Sequence, residues 1–166
     1  MTQNESVEGA STRAGHVLTI TRLFNAPRSL VFSAFTDPRR MLQWLGPRDY
    51  PASFVEADVR PGGKWRACLD AAASGEKLWH GGVYKDIVPD QRLEFTFAWD
   101  QSDGRPGLET LVTIDFQDQD GKTQMRFRQS VFDSAEDCDG HRDGWNSAFD
   151  RLEDLLAQHE NKAPPI

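Results

Sequence analysis

A chain of 166 residues, 38% hydrophobic and 27% charged, has the size and balance of one soluble globular domain with a substantial core. Its 19 basic and 26 acidic residues leave a net charge of −7, and with no basic patch to offset that sign the surface argues against nucleic-acid binding. No apolar run approaches the roughly 20 residues that span a bilayer, and the opening MTQNESVEGASTRAG lacks the hydrophobic stretch of a secretion signal, so no membrane association and no export are expected.

Residues 1–15 read as a disordered leader, since so polar a segment buries too little surface to repay ordering. Residues 16–159 carry the pattern of a single domain, and 160–166 form a polar, proline-terminated tail. Within the domain, HVLTITRLF (16–24) alternates and is rich in β-branched residues, which predicts a strand. The period then changes. Asn25 offers a cap, Pro27 suits a first helical turn, and Leu30, Val31, Ala34 and Phe35 share one helical face. Asp37-Pro38 interrupts that helix and begins a second short one bearing Met41, Leu42, Trp44 and Leu45, which Gly46-Pro47 ends.

From Ser53 the chain alternates through about six strands separated by Gly, Asp and Pro punctuation, as antiparallel hairpins require. GKWRACLD sets Trp65, Ala67 and Leu69 against Lys64, Arg66 and Cys68. EKLWHGGVYKDIVP groups Trp79, Gly81, Val83 and Ile87, with Leu78, His80, Gly82 and Tyr84 opposite. RLEFTFAW aligns Leu93, Phe95, Phe97 and Trp99, the clearest period-two signal in the chain. ETLVTIDF contributes Val112, Ile114 and Phe116, and KTQMRFRQSVF contributes Met125 and Phe127. A long helix runs from about Ala135 to Gln158, with Trp145, Ala148, Phe149, Leu152, Leu155 and Leu156 in one stripe. An α+β fold follows, because a one-sided antiparallel sheet must cover its apolar face and only the last helix is large enough.

Four segments, ITRLFNAPRSLVFSAFTDPRRMLQWLGP, DVRPGGKWR, GGVYKDIVPDQRLEFTFAW and HRDGWNSAFDRLEDLL, closely resemble the activator of heat-shock-protein ATPase homologue family. That family lies in the SRPBCC superfamily of START-like and birch-pollen-allergen-like helix-grip proteins. The resemblance covers residues 16–158 in the family's order and spacing. It implies a curved seven-stranded antiparallel sheet wrapped around the long C-terminal helix, with a cavity for lipids, polyketides, hormones or aromatic compounds between them. Eukaryotic chaperone activators carry a further N-terminal domain that engages the chaperone, and a chain of this length is expected to lack it.

Five tryptophans and ten phenylalanines are the most informative feature of the composition. Any one of them reads as plain core. As a set facing small residues (Ala67, Gly81, Gly82 and Gly144), they point to an aromatic-lined cavity. Its candidate lining is Trp44 from the second short helix; Trp65 and Ala67; Trp79, Gly81 and Val83; Phe95 and Trp99; Phe127; and His141, Gly144, Trp145 and Ala148 from the long helix. The Gly140–Ala148 half of that helix reads as lid and entrance, with His141 a ligand contact at the rim.

Other groups point to less. Cys138, His141 and His80 lack the second close-spaced pair of a zinc site, so no metal and no cofactor are expected. Cys138 and His141 lack the third, orienting member of a nucleophilic triad, and no catalytic residue is assigned. Glu56 and Asp58 share a strand face with Phe54, better explained by solvation or by the RPGG turn than by acid–base work. Arg22 interrupts an apolar face, where it can meet a ligand carboxylate, reach the sheet rim or pair with an acid. Cys68 and Cys138 lie outside any C-x-x-C pair, as in a reduced, cytoplasmic protein. The leading expectation is a monomer or homodimer that binds a small hydrophobic or aromatic molecule. A chaperone-activating interaction module and a cavity enzyme of cyclase or hydrolase type are the alternatives.

Overall fold

The computed structural model describes residues 16–162 of the chain. The expected leader (1–15) and most of the expected tail (163–166) lie outside the described residues. In order come β1 (His16–Phe24), α1 (Arg28–Thr36), α2 (Pro38–Trp44), β2 (Ala52–Ala57), β3 (Lys64–Asp70), β4 (Lys77–Val88), β5 (Arg92–Trp99), β6 (Thr110–Gln119), β7 (Lys122–Phe132) and α3 (Ala135–Lys162). The seven strands form one antiparallel sheet in the order β1-β7-β6-β5-β4-β3-β2. Every strand from β2 to β7 therefore pairs with its neighbour in the chain. Only β1 travels, crossing by way of the two short helices to the far edge beside β7.

The short helices break where the sequence says. Asp37 is extended, as a residue before proline must be, and its carboxylate accepts from the Arg39 amide at 3.0 Å to cap α2. Asn25 does not cap α1. Pro27 occupies the cap position, and its carbonyl accepts from the Leu30 and Val31 amides at 3.0 and 3.1 Å. The Trp44 indole donates to the Ala34 carbonyl at 2.8 Å, locking α2 onto the end of α1.

The sheet curls around α3, whose 28 residues extend about 42 Å at 1.5 Å per residue. Ala148, Phe149, Leu152 and Leu156 are buried along one stripe, among Leu18, Phe24, Phe35, Phe116 and Phe127. Arg22 resolves as an ion pair: from β1 it reaches Asp150 and, at 3.3 Å, Glu153 on α3, tying the edge strand to the helix. Asp58 pairs through its carboxylate with Arg60 at 2.8 Å within its own turn, rather than with backbone amides of that turn.

One register differs from the expectation. Between Tyr84 and Asp86 the pairing of β4 with β5 slips by one residue. Tyr84 opposes Phe95 and Ile87 opposes Leu93, so both face inward across a β-bulge. Strict alternation anchored on Ile87 consequently inverts the strand before it. Leu78, His80, Gly82 and Tyr84 face the helix, whereas Trp79, Gly81 and Val83 face the other way.

Candidate functional site

The first turns of α3 stand off from β3, β4 and β5, and a cavity of about 380 Å³ lies between them. Leu69, Leu78, His80, Phe97 and Trp99 form its sheet side; Gly140, His141, Gly144, Trp145 and Ala148 form its helix side. The loop after α2 closes one flank with Leu45, Gly46, Pro47 and Tyr50. The exposed carboxylates of Glu76, Glu136 and Asp137 complete the rim.

That loop is held by α3 itself. The Arg151 guanidinium donates to the Gln43, Leu45 and Gly46 carbonyls at 3.0, 3.0 and 2.8 Å, taking up acceptors that the end of α2 leaves free. Desolvation lowers the Arg151 pKa, and the nearby Arg48 charge adds to that effect. The Arg48 amide donates to the Ser147 hydroxyl at 3.0 Å. Gly46 turns with φ +90°, and a Cβ there would stand 2.2 Å from the Tyr50 carbonyl oxygen, so the bend needs glycine.

Both tryptophans of the cavity are fixed through their indole nitrogens. Trp145 donates to the Gln129 side-chain oxygen at 2.9 Å, and the fully buried Gln129 donates in turn to Thr110 at 2.9 Å. Trp99 donates to His141 Nε2 at 2.9 Å. That nitrogen must therefore be an acceptor, which puts the ring proton on Nδ1, 2.9 Å from the Asp137 carbonyl. With both nitrogens engaged, His141 clamps the helix to β5 and offers the cavity its ring face.

His80 is a buried polar group on the cavity's sheet side, outside the expected lining. It is 2% exposed, with Trp99, Phe97 and Trp65 ring centroids 4.5, 5.0 and 5.4 Å away. Burial, only partly opposed by the Leu78 backbone, pushes its pKa down to about 4 and so holds it neutral, and its Nδ1 makes no well-formed hydrogen bond among the described residues. Behind it lies a chamber of about 30 Å³, room for a water or two. Leu45, His80, Phe97 and Trp145 line both spaces and partition them.

The expected lining residues divide accordingly. Trp99, His141, Gly144, Trp145 and Ala148 meet at the cavity. Trp44, Trp65 and Phe95 line the small chamber behind it, and Ala67 and Phe127 are fully buried core lining neither space. Trp79, Gly81 and Val83 lie on the opposite side of the sheet, where Trp79 packs on Phe54 at 5.5 Å and under the Arg66 guanidinium at 5.4 Å. Gly81 and Gly82 do not make room. A Cβ would stand 2.5 Å from the Trp65 carbonyl oxygen at Gly81 and 1.8 Å from that of Thr96 at Gly82, so these glycines serve strand-to-strand approach. Leu78 and His80 were hidden by the bulge. The loop residues and Glu76 have no periodic signal by which to be found.

The family model described as Activator of Hsp90 ATPase homolog 1-like protein matches residues 25–157. The chain belongs to this family. Its helix-grip architecture recurs in a Chromobacterium violaceum protein that is 26% identical, aligns over 84% of this chain and 96% of its own, and superposes with a TM-score of 0.75. A Mycobacterium smegmatis protein, also 26% identical, aligns over 84% of this chain and 90% of its own with a TM-score of 0.71. An AHSA1 protein of Silicibacter pomeroyi shares the fold at a TM-score of 0.78, with 23% identity over 87% of this chain and 99% of its own. No curated protein matches the chain. Among the described residues, no helix is long and apolar enough to cross a membrane, and no cluster of His, Cys, Asp and Glu is arranged to hold a metal ion.

Proposed function

We propose that this member of the family binds a small hydrophobic or aromatic molecule in the cavity between β3–β5 and the first half of α3. The observation that carries the reading is the pair of helical glycines at the cavity. Glycine inside a helix costs about 1 kcal/mol relative to alanine. At Gly140 a Cβ would meet nothing within 4 Å, and at Gly144 only the Pro47 ring carbon at 3.6 Å. Packing does not demand glycine at either position. What both positions share is the empty volume they border, large enough for a ligand.

The walls suit such a ligand. Phe97, Trp99, Trp145 and Tyr50 supply flat, rigid surface, and both indole nitrogens already have partners, so the rings are held ready rather than reorganised on binding. Cys68 and Cys138 are both free and buried, which supports a reducing, cytoplasmic setting.

Mass spectrometry of extracts from the purified protein, together with thermal-shift screening against aromatic and lipid compounds, tests the proposal. A co-purified species or a saturable shift is expected, and Gly144→Phe, which fills the cavity, should abolish it. No bound species and no saturable shift in the unaltered protein would overturn the reading.

A further inference from the structure

The charge around the cavity is one-sided. Glu76, Glu136 and Asp137 border it, and among the described residues no Lys or Arg does. The cations nearest in sequence are engaged elsewhere: Lys77 with Asp70 at 3.1 Å, Arg142 with Asp139 at 2.6 Å and Arg48 with Asp154 at 3.1 Å. The three rim acids make no ion pair among the described residues. Glu136 and Asp137 sit in the first turn of α3, where acids complement the helix dipole and need no ligand to explain them. Glu76 has no such duty. It precedes β4, on the opposite side of the opening, and belongs to no helix.

The cavity's buried end gives an independent indication. His80 lines it at 2% exposure, and among the described residues its Nδ1 makes no well-formed hydrogen bond, only a loose approach to the Leu78 backbone, which is costly for a buried polar atom unless something supplies the bond. The walls between that imidazole and the rim are aromatic and uncharged. Polarity is thus found at both ends of an apolar space, neutral inside and anionic outside.

We infer that the cavity takes an amine-bearing amphiphile, with an aromatic or alkyl body against Phe97, Trp99 and Trp145 and its ammonium at the rim beside Glu76, Glu136 and Asp137, and that it turns away carboxylates of the same shape. An ammonium at the rim gains from the carboxylates and from the aromatic faces together, while keeping part of its hydration. A carboxylate there meets three like charges and no counter-ion. A hydroxyl or N–H at the inner end of the body finds His80. This inference rests on the cavity being the binding site, as proposed above.

Three probes of one shape separate the charge states: tryptamine, tryptophol and indole-3-acetate, each titrated calorimetrically into the full chain at pH 7.5 and low salt. Tryptamine is expected to bind about tenfold more tightly than indole-3-acetate, with tryptophol between them, and 0.5 M salt should compress the gap. Glu76→Gln, away from α3, should narrow it, and Glu76→Gln/Glu136→Gln/Asp137→Asn should nearly close it, with circular dichroism melts confirming that each variant folds. Equal affinities, a reversed order or a gap untouched in the triple variant would overturn the inference. Saturable tryptophol binding that Gly144→Phe abolishes would still uphold the cavity. Binding of none of the three also overturns the inference, and the broader compound screen then decides the cavity on its own.

Discussion

From Phe149 onward α3 is a core helix. Phe149 meets Phe24, Phe127 and Trp44 with ring centroids 5.5 to 6.4 Å apart, Leu152 is fully buried, and the outer face is tied to β1 through Arg22. About one to two and a half turns earlier the same helix carries Trp145, Gly144, His141 and Gly140, and there it faces β3–β5 across the cavity while Trp145 and His141 still touch Phe127 and Phe132 of β7. The first region has spent its apolar surface on packing. The second also packs rings, Trp145 on Phe127 at 4.8 Å and His141 on Phe132 at 4.7 Å, but it fixes them by hydrogen bonds, from Trp99 to His141 and from Trp145 to Gln129, beside the cavity it leaves open. A helix can therefore be bound firmly at one end and leave a space at the other, provided that polar clamps supplement packing where the space lies.

The sharpest way to break that contrast is Phe149→Ala. It removes a fully buried ring among five aromatic neighbours and should cost about 3–5 kcal/mol in urea unfolding. A loss under 1 kcal/mol would mean that the closed end is no better packed than the open one.

Next in size is the pH response of the open end. The His80 pKa is lowered to about 4 in the folded protein, so between that value and its ordinary 6.5 the unfolded chain binds the extra proton. Stability is full above pH 6.5 and falls as the pH drops towards 4, by about 3 kcal/mol for this group. Unfolding measured at pH 7.5 and 4.5 should show that loss in the unaltered protein and a smaller one in His80→Phe. Equal slopes would show that the imidazole is hydrated after all.

The clamp comes third. His141→Leu leaves the Trp99 N–H without its acceptor and should cost about 1–2 kcal/mol, with a change in the near-ultraviolet dichroism of the tryptophans. The smallest effect has the opposite sign. Gly144→Ala places a methyl 3.6 Å from Pro47, without a clash, and should stabilise the helix by up to about 1 kcal/mol while narrowing the cavity. A loss of stability there would show that the glycine is required by packing and weaken the case for a ligand.

The fold was legible because its signals are local. Alternation in β5, the proline after Asp37 and the stripe from Trp145 to Leu156 each follow from side-chain period and backbone sterics, which a few neighbouring residues determine. The site was legible only where it borrows those signals. Gly144 and Trp145 stand out as unusual within a helix, and Trp99 continues the run of β5. The lining on β4 was lost to one extra residue. A bulge exchanges the two faces of a strand, and nothing near Lys85 in the sequence announces it. Gly81 and Gly82 misled for a related reason: a glycine makes room equally for a ligand or for a neighbouring backbone, and only the distance to Trp65 and Thr96 says which.

The sequence by itself determined the order of the elements, the break between the short helices, the helix that the sheet must grip and the aromatic character of the interior. These depend on hydrophobic period and chain stereochemistry, which are written residue by residue. Tertiary structure alone decided that the last helix closes against β1 and β7 but stands off β3–β5. It alone brought Arg151 to the carbonyls after α2, proton-ordered His141 between Trp99 and Asp137, and buried His80 with its Nδ1 poorly satisfied among the described residues. The long-range members of that set join residues 42 to 108 positions apart, and such pairings, like the one-residue slip in β4, are set by how the sheet curls rather than by any segment of the chain.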